Sequence, residues 1–158
     1  MIRTGIGIDA HKFVSGDGFR LGGVDIAHSS GVAGHSDGDV LIHAVVDALL
    51  GAAGLGDIGS HFPSSDAQWE HADSGQFLER TGAMIREARG TIQHIDATVV
   101  LQEPVIAAHL PAMRRHIAAA LQLPEGQINL KATTTDTLGF TGRKEGLTAM
   151  AVATLEMP

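Results

Sequence analysis

The sequence predicts an α+β fold, a two-layer α/β sandwich in which one mostly four-stranded sheet is covered on one face by helices. Three observations predict it: period-two stretches near both ends and in the middle, three apolar stripes at helical spacing, and Gly or Pro at most changes of period. Ile2, Thr4, Ile6 and Ile8 share one parity and Arg3, Gly5, Gly7 and Asp9 the other, which makes a first strand whose glycines allow close backbone approach. A short strand over residues 20–26, interrupted by Gly22-Gly23, is expected to pair with it. Ser36 and Asp39 resemble a capping box for a first helix. Its stripe is Val40, Leu41, Ala44, Val45, Ala48 and Leu49, with Gly51 as terminator. Residues 51–66 are too rich in glycine and polar groups for a helix, and a loop of that length is often functional. A second helix spans 74–88 with Phe77, Leu78, Met84 and Ile85 inward. Ile95, Ala97, Val99 and Leu101 then mark a strand stopped by Pro104. A third helix over 108–122 buries Leu110, Met113, Ile117 and Leu121, and Pro124 ends it. Strands over 127–133 and 146–156 complete the order. The last one is apolar on both parities, Leu147, Ala149, Ala151, Ala153 and Leu155 against Met150 and Val152, so a partner subunit is expected to cover the second sheet face.

The 158 residues suit a single domain, 1–158, and with 44% hydrophobic but only 4% aromatic residues its core is built from Ala, Val, Ile and Leu. A net charge of −7 argues against a nucleic-acid or anionic-membrane surface, so any phosphate is handled locally. No cysteine is present, which excludes disulfides and thiolate chemistry. Met1-Ile2-Arg3 leads straight into strand pattern and no apolar run approaches the ~18 residues of a membrane span, so a cytoplasmic protein is expected.

Asp9 and His11, two apart on a strand, point to one side, and His43 lies in the apolar helix. One carboxylate and two imidazoles make a three-ligand metal site with a fourth position open, the arrangement of catalytic zinc. The competing reading is chance proximity among nine histidines. Asp39 and Asp47, four residues either side of His43, are candidates to hold its second ring nitrogen, or are a solvated face. His35-Ser36 is expected at the helix N-terminus, where anions are attracted. Asp57, between Gly56 and Ile58-Gly59, leaves room for a ligand, though Gly-Asp is also ordinary turn chemistry. Lys131-Ala132-Thr133-Thr134-Thr135-Asp136 followed by Gly139-Phe140-Thr141-Gly142-Arg143 offers hydroxyls, an acid and an Arg for a phosphate chain and a second divalent cation. A Thr-rich strand end and an Arg143–Glu145 ion pair are the plainer alternatives.

These residues resemble a known family. Gly5-Ile6-Gly7-Ile8-Asp9-Ala10-His11, His35-Ser36-Asp37-Gly38-Asp39-Val40, Gly56-Asp57-Ile58-Gly59, Phe62-Pro63 and the Lys131 to Arg143 stretch look like the 2-C-methyl-D-erythritol 2,4-cyclodiphosphate synthases of the non-mevalonate isoprenoid route, in order and over essentially the whole chain. The resemblance implies a homotrimer with active sites between subunits, and one zinc per subunit on Asp9, His11 and His43. It also implies Mg²⁺ or Mn²⁺ with the substrate diphosphate through Asp136. The implied reaction is attack of the 2-phosphate of 4-diphosphocytidyl-2-C-methyl-D-erythritol 2-phosphate on its β-phosphorus, releasing CMP. His35 and Thr134 match the positions credited with transition-state stabilisation. Asp9, Ala10, His11, His35 and Ser36 would hold phosphate, and Asp57, Ile58, Gly59, Phe62, Pro63, Ser64, Ser65 and Asp66 would line the methylerythritol. Leu101, Gln102, Glu103, Pro104, Val105, Ile106, Ala107, Thr133, Thr134, Thr135 and Asp136 would hold the cytidine diphosphate. Phe140 and Arg143 would face a central cavity that takes a prenyl diphosphate. This chain departs from the family pattern at Val105, where Lys is frequent, at Asp136, where Glu is, and at Ser64-Ser65, where Asp-Thr is. A zinc phosphohydrolase using a metal-bound hydroxide and a trimeric prenyl-diphosphate-binding module are the alternatives.

Overall fold

The computed structural model describes all residues, Met1–Pro158. β1 (Ile2–Ser15) leads into a hairpin of β2 (Gly18–Leu21) and β3 (Val24–Ala27), then β4 (Ser30–Val32), α1 (Val40–Ala53), one-turn α2 (Ile58–His61) and α3 (Gly75–Glu87). β5 (Thr91–Val100), α4 (Leu110–Leu121), β6 (Ile128–Thr133), one-turn α5 (Gly139–Gly142) and β7 (Gly146–Glu156) follow. The main sheet has five strands in the order β4-β1-β7-β5-β6. β7 runs antiparallel to both β1 and β5, and β6 runs parallel to β5.

Several boundaries differ from expectation for identifiable reasons. The sheet has five strands where mostly four were expected, because three-residue β4 is too short to carry a periodicity and it pairs with the far end of β1. Residues 20–26 do not pair with the first strand. Gly22 and Gly23, at φ 57° and 76°, are the two-residue turn of a separate hairpin, a conformation glycine adopts at little cost. Asp39, and not Ser36, caps α1, its carboxylate accepting from Ile42 N. That helix runs past Gly51 to Ala53 and closes on Gly54 in the left-handed region at φ 74°. Part of the expected loop is ordered as α2, capped by Asp57. The third helix ends at Gln122 in a left-handed cap, two residues before Pro124.

The inward sheet face packs on α1 with little side chain between. A Cβ on Gly7 would stand 1.9 Å from Ala44 O, and one on Gly5 2.2 Å from Ala48 O. This contact brings the helix backbone down onto β1 and fixes its height there. Leu147, Ala149, Ala151, Ala153 and Leu155 of β7 are buried against the same layer. The opposite face carries Ile2, Ile6, Ile8, Met150 and Val152, all between 43% and 64% exposed, a contiguous apolar row on β1 and β7. At the far end of the sheet the N-terminal ammonium donates to Met157 O at 2.5 Å and Met157 N to Met1 O at 2.8 Å, tying the chain ends together.

Candidate active site

β1 delivers Asp9 and His11 from its inward face, and α1 delivers His43 one turn past its cap. The three ligating atoms converge: Asp9 Oδ2 lies 2.9 Å from His11 Nε2 and 3.0 Å from His43 Nδ1, and the two imidazole nitrogens are 3.4 Å apart. Each residue is partly buried, and together they form the one Asp/His group able to hold a metal ion. An ion bound tetrahedrally at ~2.0–2.1 Å needs donor atoms ~3.3 Å apart, so these three would move outward by only a few tenths of an ångström. Burial opposes ionisation of Asp9, but hydrogen bonds from His11 and His43 outweigh it and hold the carboxyl well below the ordinary range. Burial likewise opposes protonation of His11, and the bond to Asp9 reverses that, raising its pKa.

The carboxylates beside His43 on α1 do not hold its second nitrogen. Asp39 is fully buried and accepts from Gly22 N at 2.8 Å, Gly23 N at 2.8 Å and Ile42 N at 3.1 Å, tying the hairpin turn to the helix start. Burial pushes its carboxyl above the usual range despite those bonds. Asp47 accepts from Ile58 N at 2.7 Å and so anchors α2. His43 Nε2 instead meets Ser74 Oγ at 2.8 Å and Ser36 Oγ at 3.2 Å. Ser74 is in turn held by Asp37. No sequence pattern assigns Ser74 or Asp37 to His43, because the Ser74–Asp37 contact joins segments 37 residues apart.

His35 and Ser36 do not form the helix N-terminus; they lie just before it. His35 is exposed, its carbonyl accepting from His71 N at 2.9 Å, and half-buried Ser36 reaches the metal group. Asp57 caps α2, taking bonds from Ser60 N at 2.8 Å and Ser60 Oγ at 2.6 Å, and the Ser60 hydroxyl lowers its pKa. Phe62 turns inward and stacks on Phe77 at 4.6 Å between ring centres, while Ser64 and Ser65 are exposed.

The second group gathers where β5 and β6 end. Ala10, Thr148, Val100 and Thr133 form one cross-strand row, so the Thr133 end and the metal group share an end of the sheet. They are three strands apart, ~14 Å at ~4.8 Å per strand. A cavity of about 140 Å³ there is lined by Leu101, Gln102, Pro104, Val105, Ile106, Ala107, Ala132, Thr133 and Thr134. Val105 is 86% exposed at its rim. Thr134 and Asp136 are exposed and bond each other, with Asp136 N 3.2 Å from Thr134 Oγ1. Thr135 differs from its neighbours: its hydroxyl donates to Leu138 O at 2.5 Å and faces Thr141, inside the turn. Asp136 and Thr137 both have positive φ, 51° and 70°, and Gln102 Oε1 accepts from Thr137 N at 3.0 Å, joining the two loops. Glu103 pairs with Lys144 at 2.7 Å. Phe140 shares a hollow of about 360 Å³ with Ala10 and His11, and Arg143 pairs with Glu145 at 2.9 Å.

Comparisons with known proteins find relatives along the whole chain. A model of the YgbB family matches residues 2–156. A 2-C-methyl-D-erythritol 2,4-cyclodiphosphate synthase from Alcanivorax borkumensis is 54% identical over 155 residues, 98% of this chain and 97% of that protein. A bifunctional enzyme IspD/IspF from Rhizorhabdus wittichii is 51% identical over 156 residues, 99% of this chain but 41% of that longer protein. Among solved structures, a Plasmodium falciparum IspF–CDP complex superposes with a TM-score of 0.87 at 34% identity, over 99% of this chain and 96% of that one. No helix is long and apolar enough to cross a membrane. With a family match from residue 2 to residue 156 and a relative more than half identical along its length, the chain belongs to the YgbB family.

Proposed function

We propose that this protein is a 2-C-methyl-D-erythritol 2,4-cyclodiphosphate synthase, closing 4-diphosphocytidyl-2-C-methyl-D-erythritol 2-phosphate to the cyclic diphosphate with release of CMP. The observation that carries the reading is the convergence of Asp9 Oδ2, His11 Nε2 and His43 Nδ1 beside Ser36 and exposed His35, in a YgbB chain. One carboxylate and two imidazoles suit zinc. Bound there, zinc supplies Lewis-acid neutralisation of diphosphate charge. His35 and Ser36 hold the 2-phosphate so that one of its oxygens faces the β-phosphorus. A new P–O bond forms there as the bond to the α-phosphate oxygen breaks, and CMP departs with that oxygen. Since like-charged phosphates repel, positioning and charge neutralisation are the work of the site.

Thr134 steadies the departing phosphate, Asp136 holds Mg²⁺ or Mn²⁺, and the cavity between Leu101 and Ala107 takes the cytidine. The CDP complex of the Plasmodium relative supports a nucleotide ligand. A homotrimer, with Asp9 of one subunit facing Thr134 of the next, is supported by the exposed Ile2, Ile6, Ile8, Met150 and Val152 row. The ~14 Å between the two groups within one chain agrees with a shared site. Residues 1–158 act as one catalytic domain in this reading. Phe140, in the hollow beside His11, and Arg143 would meet a prenyl diphosphate.

Incubation with the substrate, Zn²⁺ and Mg²⁺ is expected to release CMP, and Asp9→Ala and His43→Ala to abolish release. Equal release by both variants overturns the assignment. Product formed in ¹⁸O-water carries no label if the substrate's own phosphate attacks; label in the phosphate would mark hydrolysis instead.

A further inference from the structure

Ser74 occupies the position that caps α3, yet its side chain makes no capping bond to that helix. It is fully buried. Its hydroxyl lies against Asp37 Oδ1 and 2.8 Å from His43 Nε2, while its backbone N–H donates to Asp37 Oδ2 at 2.8 Å. Asp37 therefore grips Ser74 through both oxygens, with Oδ1 also accepting from Asp39 N at 3.1 Å. A serine hydroxyl carries a single proton, and a carboxylate can only accept. That proton goes to Asp37, which leaves an oxygen lone pair facing the imidazole. The hydrogen between Ser74 and His43 must then belong to Nε2. That leaves Nδ1, 3.0 Å from Asp9 Oδ2, as the nitrogen that gives up its hydrogen to a cation. Only a bare ring nitrogen can ligate a cation.

We propose that Asp37, acting through Ser74, is a positioning residue that fixes the tautomer and ring plane of His43 so that Nδ1 faces the metal. The inference rests on Asp9, His11 and His43 being metal ligands. The carboxylates nearest in sequence cannot take the role: Asp39 is bonded to Gly22, Gly23 and Ile42, and Asp47 to Ile58. Ser36 Oγ, at 3.2 Å, is the longer of the two contacts to Nε2. The Phe77 ring centre, 6.0 Å away, flanks the imidazole without offering an acceptor. Asp37 also sits one residue from Ser36, so the segment proposed to bind the 2-phosphate is the segment that sets the metal ligand.

The test uses the whole protein stripped of metal. Titration with Zn²⁺ against a competing chelator should show Ser74→Ala and Asp37→Asn binding about 10- to 100-fold more weakly than wild type, the usual effect of losing a ligand's supporting bond. Ser74→Thr, which keeps the hydroxyl, should restore most of the affinity. Nitrogen-15 NMR of the zinc-loaded protein should find His43 coordinated through Nδ1 and protonated at Nε2 in wild type, and a mixture of coordination modes in Ser74→Ala. Wild-type zinc affinity in both variants, or coordination of His43 through Nε2 in wild type, overturns the proposal. If Ser74→Ala does not fold, the wild-type coordination mode decides alone. His43→Ala separates the two levels: if it binds zinc as wild type does, the metal assignment fails, whereas loss there with intact binding in Ser74→Ala fails only the positioning role.

Discussion

The two halves of the site are built in opposite ways. Asp9, His11 and His43 sit on the inward side of β1 and on a buried helix, held by backbone packing at Gly5 and Gly7 and by a second layer of polar residues. Thr133, Thr134 and Asp136 project from edge strand β6 and are exposed, and the Thr134–Asp136 contacts are local. A metal group of this kind is complete within one chain. The threonine turn presents hydroxyls outward and acquires its purpose from whatever stands opposite. Cation geometry must be set to tenths of an ångström, whereas a nucleotide can be gripped by a pliable edge.

Substitutions on the two sides of that contrast should differ in what they do to stability. Gly7→Val should be the most damaging. Its Cβ alone would meet Ala44 O at 1.9 Å and Ala48 N at 2.7 Å, both backbone atoms, so circular dichroism should show no cooperatively folded protein, a loss beyond ~3 kcal/mol. A folded, zinc-binding Gly7→Val would show that packing does not set the metal half. Asp39→Ala strands three N–H donors and uncaps α1, and urea unfolding should register a loss of ~2–4 kcal/mol.

Asp96→Asn tests the threonine half. Asp96 bonds Lys131 at 2.7 Å and Asn129 at 2.8 Å, side-chain ties between β5 and the strand that carries the turn. The Lys131 bond lowers the Asp96 pKa against mild burial. A carboxyl lowered on folding stabilises the native state above its unfolded pKa near 3.8 and ceases to as pH falls through its folded value. For a pair this exposed the loss at neutral pH should be ~0.2–1 kcal/mol, shrinking below pH ~4 as wild type and variant converge. The smallest change in stability, within ~0.5 kcal/mol, is expected for exposed Asp136→Asn, which keeps a residue suited to φ 51°, accompanied by a kcat decrease of ~10-fold or more and a raised Mg²⁺ requirement. Destabilisation as large as that of Asp39→Ala would erase the distinction between the halves.

The metal trio was legible because strand parity puts Asp9 and His11 on one side and because His43 interrupts an otherwise apolar helix. Its support was not. Ser36 and Asp39 both fit a cap, and the choice fell to Asp39 because a buried carboxylate can also take the N–H groups of Gly22 and Gly23, which come from a distant turn. The same pair of glycines read as a flaw in a strand when it is the bend of a hairpin. Ser74 looked like an ordinary helix start, and only the folded chain reveals that its hydroxyl points to His43. Thr135 belonged to a uniform run of threonines until the turn closed around it. In each case the missing information was a tertiary partner.

The pairing of Met1 with Met157 bears on how this unit combines with others. Asp9 is seven residues along β1 from Ile2, ~23 Å at ~3.3 Å per residue, so both chain ends lie on the side remote from the metal group. Extending the chain before Met1 turns its ammonium into an amide that can donate to the same carbonyl. A segment joined at either end would therefore begin away from the metal group, and one bifunctional relative is longer, this chain matching 41% of it. The exits of the fold point away from Asp9, His11 and His43.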